Sequence, residues 1–246
     1  MVSRPLAIAL AAGLSSVFAF AQVAAEARKT PLSIETRGDI FMARKMYREA
    51  IDVFREDKSK NAVIANKIGI AYHQMQQLEN ARKSYEQAIR LKPDYAEAIN
   101  NLGTVYYARK SFGRAIRYYR RALKYTPKSA SIYSNLGTAY FARKKYKEAM
   151  EIYQTALKLD PNVFENHGSY GVLLEERSVE ERAKFHFHLA KLYAQAGRNE
   201  LALQYLRKAL EEGFKDKKKM EEDADFQAMR DLPEFKELLA LEPRVL

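Results

Sequence analysis

Four histidines, His73, His167, His186 and His188, are the side chains in this sequence best suited to proton transfer or metal binding, because imidazole titrates near neutral pH and either ring nitrogen can hold an ion. His186 and His188 are two residues apart. On a helix that spacing turns them about 160° from each other around the axis, so the pair cannot share one ion. Packing and surface roles are therefore expected of all four. The chain has no cysteine, which removes a thiolate zinc site, a cysteine nucleophile and a disulfide scaffold. Gly168-Ser169-Tyr170-Gly171 resembles a nucleophile elbow only superficially, since it lies in a helix-forming stretch with no strand to deliver the serine. Carboxylates are scattered over helix surfaces, and there is no HExxH, phosphate loop or dinucleotide fingerprint. The expectation is no catalytic residue, no metal ligand set and no cofactor: a molecule that binds, not an enzyme.

The elements that would carry such a role follow from composition and period. The 246 residues are 47% hydrophobic and 30% charged, with a formal net charge of +11, which is ordinary for a soluble globular chain and excludes wholesale disorder. Residues 1–25 stand apart. One cation, Arg4, precedes an uncharged run from Leu6 to Phe20, and small residues follow at Ala19-Phe20-Ala21 and Val23-Ala24-Ala25. These are the three parts of a secretory signal peptide, expected to be cut after Ala21 or Ala25. An uncleaved anchor is the alternative, but about 20 apolar residues are needed to span a bilayer. The mature chain is thus expected to have no transmembrane span and to be periplasmic or secreted.

Beyond residue 25 a 34-residue period organises the chain. Pro93, Pro127 and Pro161 recur at it, as do Gly69, Gly103 and Gly137; Tyr72, Tyr106 and Tyr140; Ala81, Ala115 and Ala149; Tyr85, Tyr119 and Tyr153; and Ala88, Ala122 and Ala156. Ile68, Leu102 and Leu136 precede the glycines. Within each unit the apolar and small positions fall three, four and seven apart, in two blocks separated by a polar turn, which specifies two helices. Glycine and alanine mark where the two backbones cross, tyrosines fill the space between units, and the prolines are expected to stop each second helix and start the next.

With these residues the chain resembles the tetratricopeptide-repeat family, matched at 62–95, 96–129 and 130–163. A degenerate first unit with its lead-in occupies 26–61, keeping Gly38, Phe41, Ala50 and Phe54; a divergent last unit occupies 183–216, keeping Ala190, Tyr193, Ala202, Leu206 and Ala209. Residues 164–182 are expected to form an inserted helix, although Tyr170, Gly171, Leu174, Ala183, Phe187 and Ala190 also fit a register that continues from 164. Residues 217–246 resemble the capping helices that close such arrays. The resemblance implies an all-α, right-handed α-solenoid of about five helix-turn-helix units, and a non-catalytic scaffold for protein–protein interaction.

It also implies a concave groove lined by the first helix of each unit, whose sixth position often carries an asparagine that holds a partner's backbone. That position is Lys67, Asn101, Asn135 and, in the last unit, His188. A carboxamide donates and accepts at once, which suits a peptide group whatever its side chain. Asn66, Asn100, Thr104, Tyr107, Ser134, Thr138 and Phe141 would complete the groove. Charge gives a second clue, since residues 96–163 hold 13 Lys+Arg against 4 Asp+Glu. Arg114, Arg117, Arg121 and Lys124 fall within about an 80° arc of one second helix, opposite Ala115, Tyr119 and Ala122. Such a stripe would attract acidic proteins, anionic lipid or a wall polymer. Nucleic acid would be attracted too, but an exported protein rarely meets it. Ala-Arg-Lys recurs at 43–45, 108–110 and 142–144, at the ends of first helices, where cations complement the helix dipole.

Overall fold

A computed structural model describes residues 32–165 and 178–240. The cleavage signal, His167, the Gly168–Gly171 tetrapeptide and most of the expected inserted helix lie outside them. Helices α1 (Ile34–Ala43), α2 (Tyr47–Phe54), α3 (Ala62–Gln74), α4 (Leu78–Leu91), α5 (Ala96–Ala108), α6 (Phe112–Tyr125), α7 (Ala130–Ala142), α8 (Tyr146–Leu159), α9 (Val179–Gln195), α10 (Asn199–Glu211), α11 (Lys217–Glu222) and α12 (Pro233–Ala240) follow in order, with a 3-10 turn at Ala224–Met229 before the last. No strand occurs among the described residues. The fold is all-α, of the α-solenoid class. It divides between Ser84 and Tyr85 into two compact units.

In the first unit α1 packs on α2 and α2 on α3. Gly38 lets the Phe54 ring lie directly against the α1 backbone, and Ala50, Phe54 and Ile64 form its buried centre.

In the second unit α5 pairs with α6 and α7 with α8, and α6 packs on α7, so each repeat buries its face against the next. The crossings are as close as the glycines demand. A Cβ at Gly103 would stand 2.7 Å from the Tyr119 ring, and one at Gly137 2.6 Å from Tyr153. Both tyrosines are fully buried, as are Ala115, Ala122, Ala149 and Ala156. The prolines behave differently from expectation. Pro93 and Pro127 end α4 and α6, but they sit in the turn three residues ahead of α5 and α7 rather than in their first turns. Ser129, not a proline, opens α7 by accepting the Ile132 amide.

After α8 the backbone turns at 161–165. Helix α9 begins at Val179, capped by Ser178, whose Oγ accepts the Glu181 amide at 3.2 Å; residues 179–182 are therefore its first turn. Counted from 183, the rest of α9 and α10 occupy the same offsets as α5 and α6 counted from 96. The 16-residue offset that joins Gly103 to Tyr119 and Gly137 to Tyr153 also relates Ala190 to Leu206, both buried. A partner side chain without a ring goes with a crossing residue that carries a Cβ. Beyond α10, Met220, Phe226, Met229, Phe235 and Leu238 are buried. Phe187 of α9 stacks on Phe214 at 4.4 Å and meets Phe226 edge-on, while Lys191 is held by Asp223 at 2.8 Å and Asp225 at 3.0 Å.

Candidate functional site

Helices α5 and α7 place the groove residues of repeats 96–129 and 130–163 side by side. A side-chain bond joins α5 to α7: Asn135 Nδ2 donates to Asn100 Oδ1 at 3.0 Å, and Asn100 Nδ2 reaches Asn101 Oδ1 at 3.4 Å. Asn101 is 3% exposed and Asn135 1%. The three carboxamides therefore form a buried chain of hydrogen bonds between repeats, not an open row of amides. Thr138 donates to the Ser134 carbonyl and accepts from Tyr153 Oη, both at 2.9 Å. Thr104 donates to the Asn100 carbonyl and accepts weakly from Tyr119, whose phenol burial pushes far up. Ser134 and Thr104 are half-buried, whereas Tyr107 and Phe141 are buried.

The other positions implied by the resemblance have different surroundings. Asn66 is buried in the first unit. Lys67, also there, donates to Glu35 at 2.7 Å and to Asp39 at 2.6 Å, so its ammonium is committed to α1. His188 stacks on Tyr146 at 5.5 Å and meets Phe141 edge-on. Burial first, then Lys191 and Lys219, push its imidazole down to about 4, which leaves it neutral at pH 7. His186 turns elsewhere, to Glu212, the C-cap of α10, at 2.6 Å.

A recess of about 380 Å³ opens where these helices end. Tyr107, Lys110 and Phe112 line it from the α5–α6 turn, Phe141, Ala142, Lys144 and Tyr146 from the α7–α8 turn, and Ser178, Glu180, Glu181 and Lys184 from α9. Two aromatic pairs form its walls, Tyr107 with Phe112 at 5.2 Å and Phe141 with Tyr146 at 4.9 Å. Beside it lies a shallower depression lined by Lys110, Ser111, Phe112, Gly113, Arg114 and Arg143, without a carboxylate. Sequence reasoning found Tyr107 and Phe141 but not their partners. The signal was the recurring Ala-Arg-Lys. Arg44, Arg109 and Arg143 are the C-cap residues, and Lys45, Lys110 and Lys144 follow with φ of 58°, 56° and 61°. Each closes its helix in the left-handed region that glycine normally supplies; Gly197 does so after α9. In α5 the Lys110 amide donates to the Tyr107 carbonyl and the Ser111 amide to Tyr106, both at 2.8 Å.

The basic stripe of α6 is uneven. Arg114, Arg117 and Lys124 are exposed, while Arg121 is half-buried and donates to the Pro93 carbonyl at 2.9 Å. Arg114 lies over the Tyr106 ring and Arg117 over Tyr118, each at 5.6 Å, and the two rings stack nearly parallel at 5.2 Å. Among the described residues no group of three or more His, Asp or Glu is placed to hold a metal ion, and no helix is long and apolar enough to cross a membrane.

Comparison with known proteins bears on the repeats. Residues 69–110 match a family described as TPR repeat, and residues 100–163 and 183–212 match two described as tetratricopeptide repeat. No curated protein matches the sequence. Among solved structures, a crystal structure of MamA superposes with a TM-score of 0.51 at 21% identity, covering 77% of this chain and 99% of that one. MamA 41-end from Desulfovibrio magneticus RS-1 gives 0.51 at 19%, covering 72% and 92%, and MamA AMB-1 gives 0.50 at 22%, covering 74% and 98%. At these identities the likeness is one of fold.

Proposed function

The chain belongs to the tetratricopeptide-repeat family, and on that premise we propose that it is a non-catalytic interaction scaffold of the cell envelope. It grips a segment of a partner protein along the first helices of repeats 96–129 and 130–163. The observation that carries this reading is the aromatic-walled recess beside Tyr107 and Phe141, which α5 and α7 present from equivalent positions of consecutive repeats. Asn100, Asn101 and Asn135 lie on the same two helices as Tyr107 and Phe141, their carboxamides bonded to one another in the free chain. The envelope location rests on the signal-like residues 1–25.

Capture of partners from envelope extract with residues 22–246 tests the reading. A discrete protein retained at high salt and lost with Asn101→Ala/Asn135→Ala is the expected result, with unchanged helicity of the variant as control. Retention by that variant contradicts the groove assignment. N-terminal sequencing of the chain from fractionated cells tests the location; a chain that starts at Met1 in the cytoplasm contradicts it.

A second reading has its own observation. Arg114, Arg117 and Lys124 are exposed on α6, and such a face would dock polyanionic surfaces such as anionic lipid, a wall polymer or acidic proteins. It predicts binding to anionic vesicles that falls steeply with salt and that Arg114→Gln/Arg117→Gln/Lys124→Gln abolishes. Binding indifferent to those changes excludes it.

A further inference from the structure

We infer that the edge where α5–α6 and α7–α8 turn is a docking site for an acidic peptide segment carrying one aromatic side chain. This rests on the scaffold reading above and deepens it by naming the partner's chemistry. The recess of about 380 Å³ and the neighbouring depression share Lys110 and Phe112, so they form one continuous surface. Its walls are Tyr107 with Phe112 and Phe141 with Tyr146, which suit a flat ring packed edge-on or offset. A cavity of this size holds one large side chain and part of a backbone, not a folded domain.

Charge selects what surrounds that ring. Lys110, Arg114, Arg143, Lys144 and Lys184 line the two concavities, against two carboxylates, Glu180 and Glu181. Glu180 is taken by Lys184 at 2.6 Å. Lys110, Arg143 and Lys144 have no carboxylate within 4.0 Å among the described residues. The surface therefore offers an aromatic-walled hole rimmed on the depression side by cations without ion-pair partners. Carboxylates flanking an aromatic anchor complement both features at once, and neither a bare polyanion nor a purely apolar helix does so. The lysines are also dictated by no need of the turn itself, since glycine closes α9 at the corresponding position.

The test is a polarization titration of the full chain against a fluorescein-labelled peptide with one phenylalanine flanked by glutamates. Saturable binding is expected, weakened roughly tenfold or more by replacing that phenylalanine with alanine, and to a similar degree by Lys110→Gly/Arg143→Gln/Lys144→Gly. The two glycines suit the local backbone, so the variant keeps its fold, and its circular dichroism verifies this. Peptide binding unaltered by the triple variant overturns the proposal. So does equal binding of polyglutamate without an anchor, which would assign the edge to polyanions in general, and so does an absence of saturable binding. Asn101→Ala/Asn135→Ala separates the two readings. If that pair abolishes partner capture while the edge variant leaves capture and peptide binding intact, the groove reading stands and this inference falls. If the edge variant alone abolishes both, the edge is the site and the asparagine chain is structural.

Discussion

Lys110 and Lys144 hold a backbone conformation that costs an ordinary residue about 1–2 kcal/mol, and glycine would adopt it freely at the expense of extra unfolded-chain entropy. Lys110→Gly and Lys144→Gly are each expected to stabilise the protein by about 0.5–1 kcal/mol, read as a higher urea midpoint. A loss of stability would show that the lysine side chains hold the turn. His188 gives a second prediction at this scale. Its pKa is depressed to about 4 in the folded chain, below the usual 6.5, so the unfolded state binds the extra proton between those values. Stability should thus be intact above about pH 6.5 and fall as pH drops toward 4, by up to about 3 kcal/mol. His188→Gln should flatten that part of the curve, and an unchanged slope would contradict the burial argument. His73 and His186 shift in the same direction and contribute a residual slope in both proteins. Residue identity alone showed neither effect. Lysine carries no mark of positive φ, and the environment of His188 is made by Tyr146 and Phe141, some forty residues away in sequence.

Between elements, the sequence was legible wherever packing permits only one solution. The glycine at each crossing, the alanines of each second helix and the tyrosines all follow from 34-residue recurrence, because a ring fully buried against a helix backbone leaves no room for a Cβ. Gly103→Val should therefore destabilise by about 1–3 kcal/mol through overpacking against Tyr119, checked by chemical denaturation. The asparagines show the limit of such reading. Their position was legible and their accessibility was not, since Asn100, which the 34-residue pattern does not mark, accepts from Asn135 across to α7 and donates to Asn101 within α5. Asn135→Ala should cost about 1–3 kcal/mol by leaving the Asn100 carbonyl unpaired; a neutral result would mean that water replaces the lost donor. The last repeat unit begins at 183 as the period gives it, but helix α9 extends four residues ahead of that boundary. Its first turn, Val179–Arg182, is set by the Ser178 cap and is charged rather than periodic.

At the scale of the whole molecule, charge and capping are the two features that packing does not dictate. Almost the entire positive excess sits in residues 96–163, where Lys110 and Arg143 make no ion pair among the described residues. The C-terminal segment does the opposite: Phe226, Met229, Phe235 and Leu238 are buried, covering the end of the array. Removing residues 217–246 should expose Phe187 and lower the thermal midpoint, with more dye binding to apolar surface; an unaltered midpoint would show that α9 and α10 need no cap. The central claim, that repeats 96–163 hold a partner protein, is tested most directly by capture from envelope extract with the 22–246 chain at low and high salt. The prediction is one discrete protein that survives high salt and is lost when Asn101 and Asn135 become alanine in a chain that remains helical. Capture only at low salt, indifferent to those two changes, would contradict it and give the binding to the exposed arginines of α6.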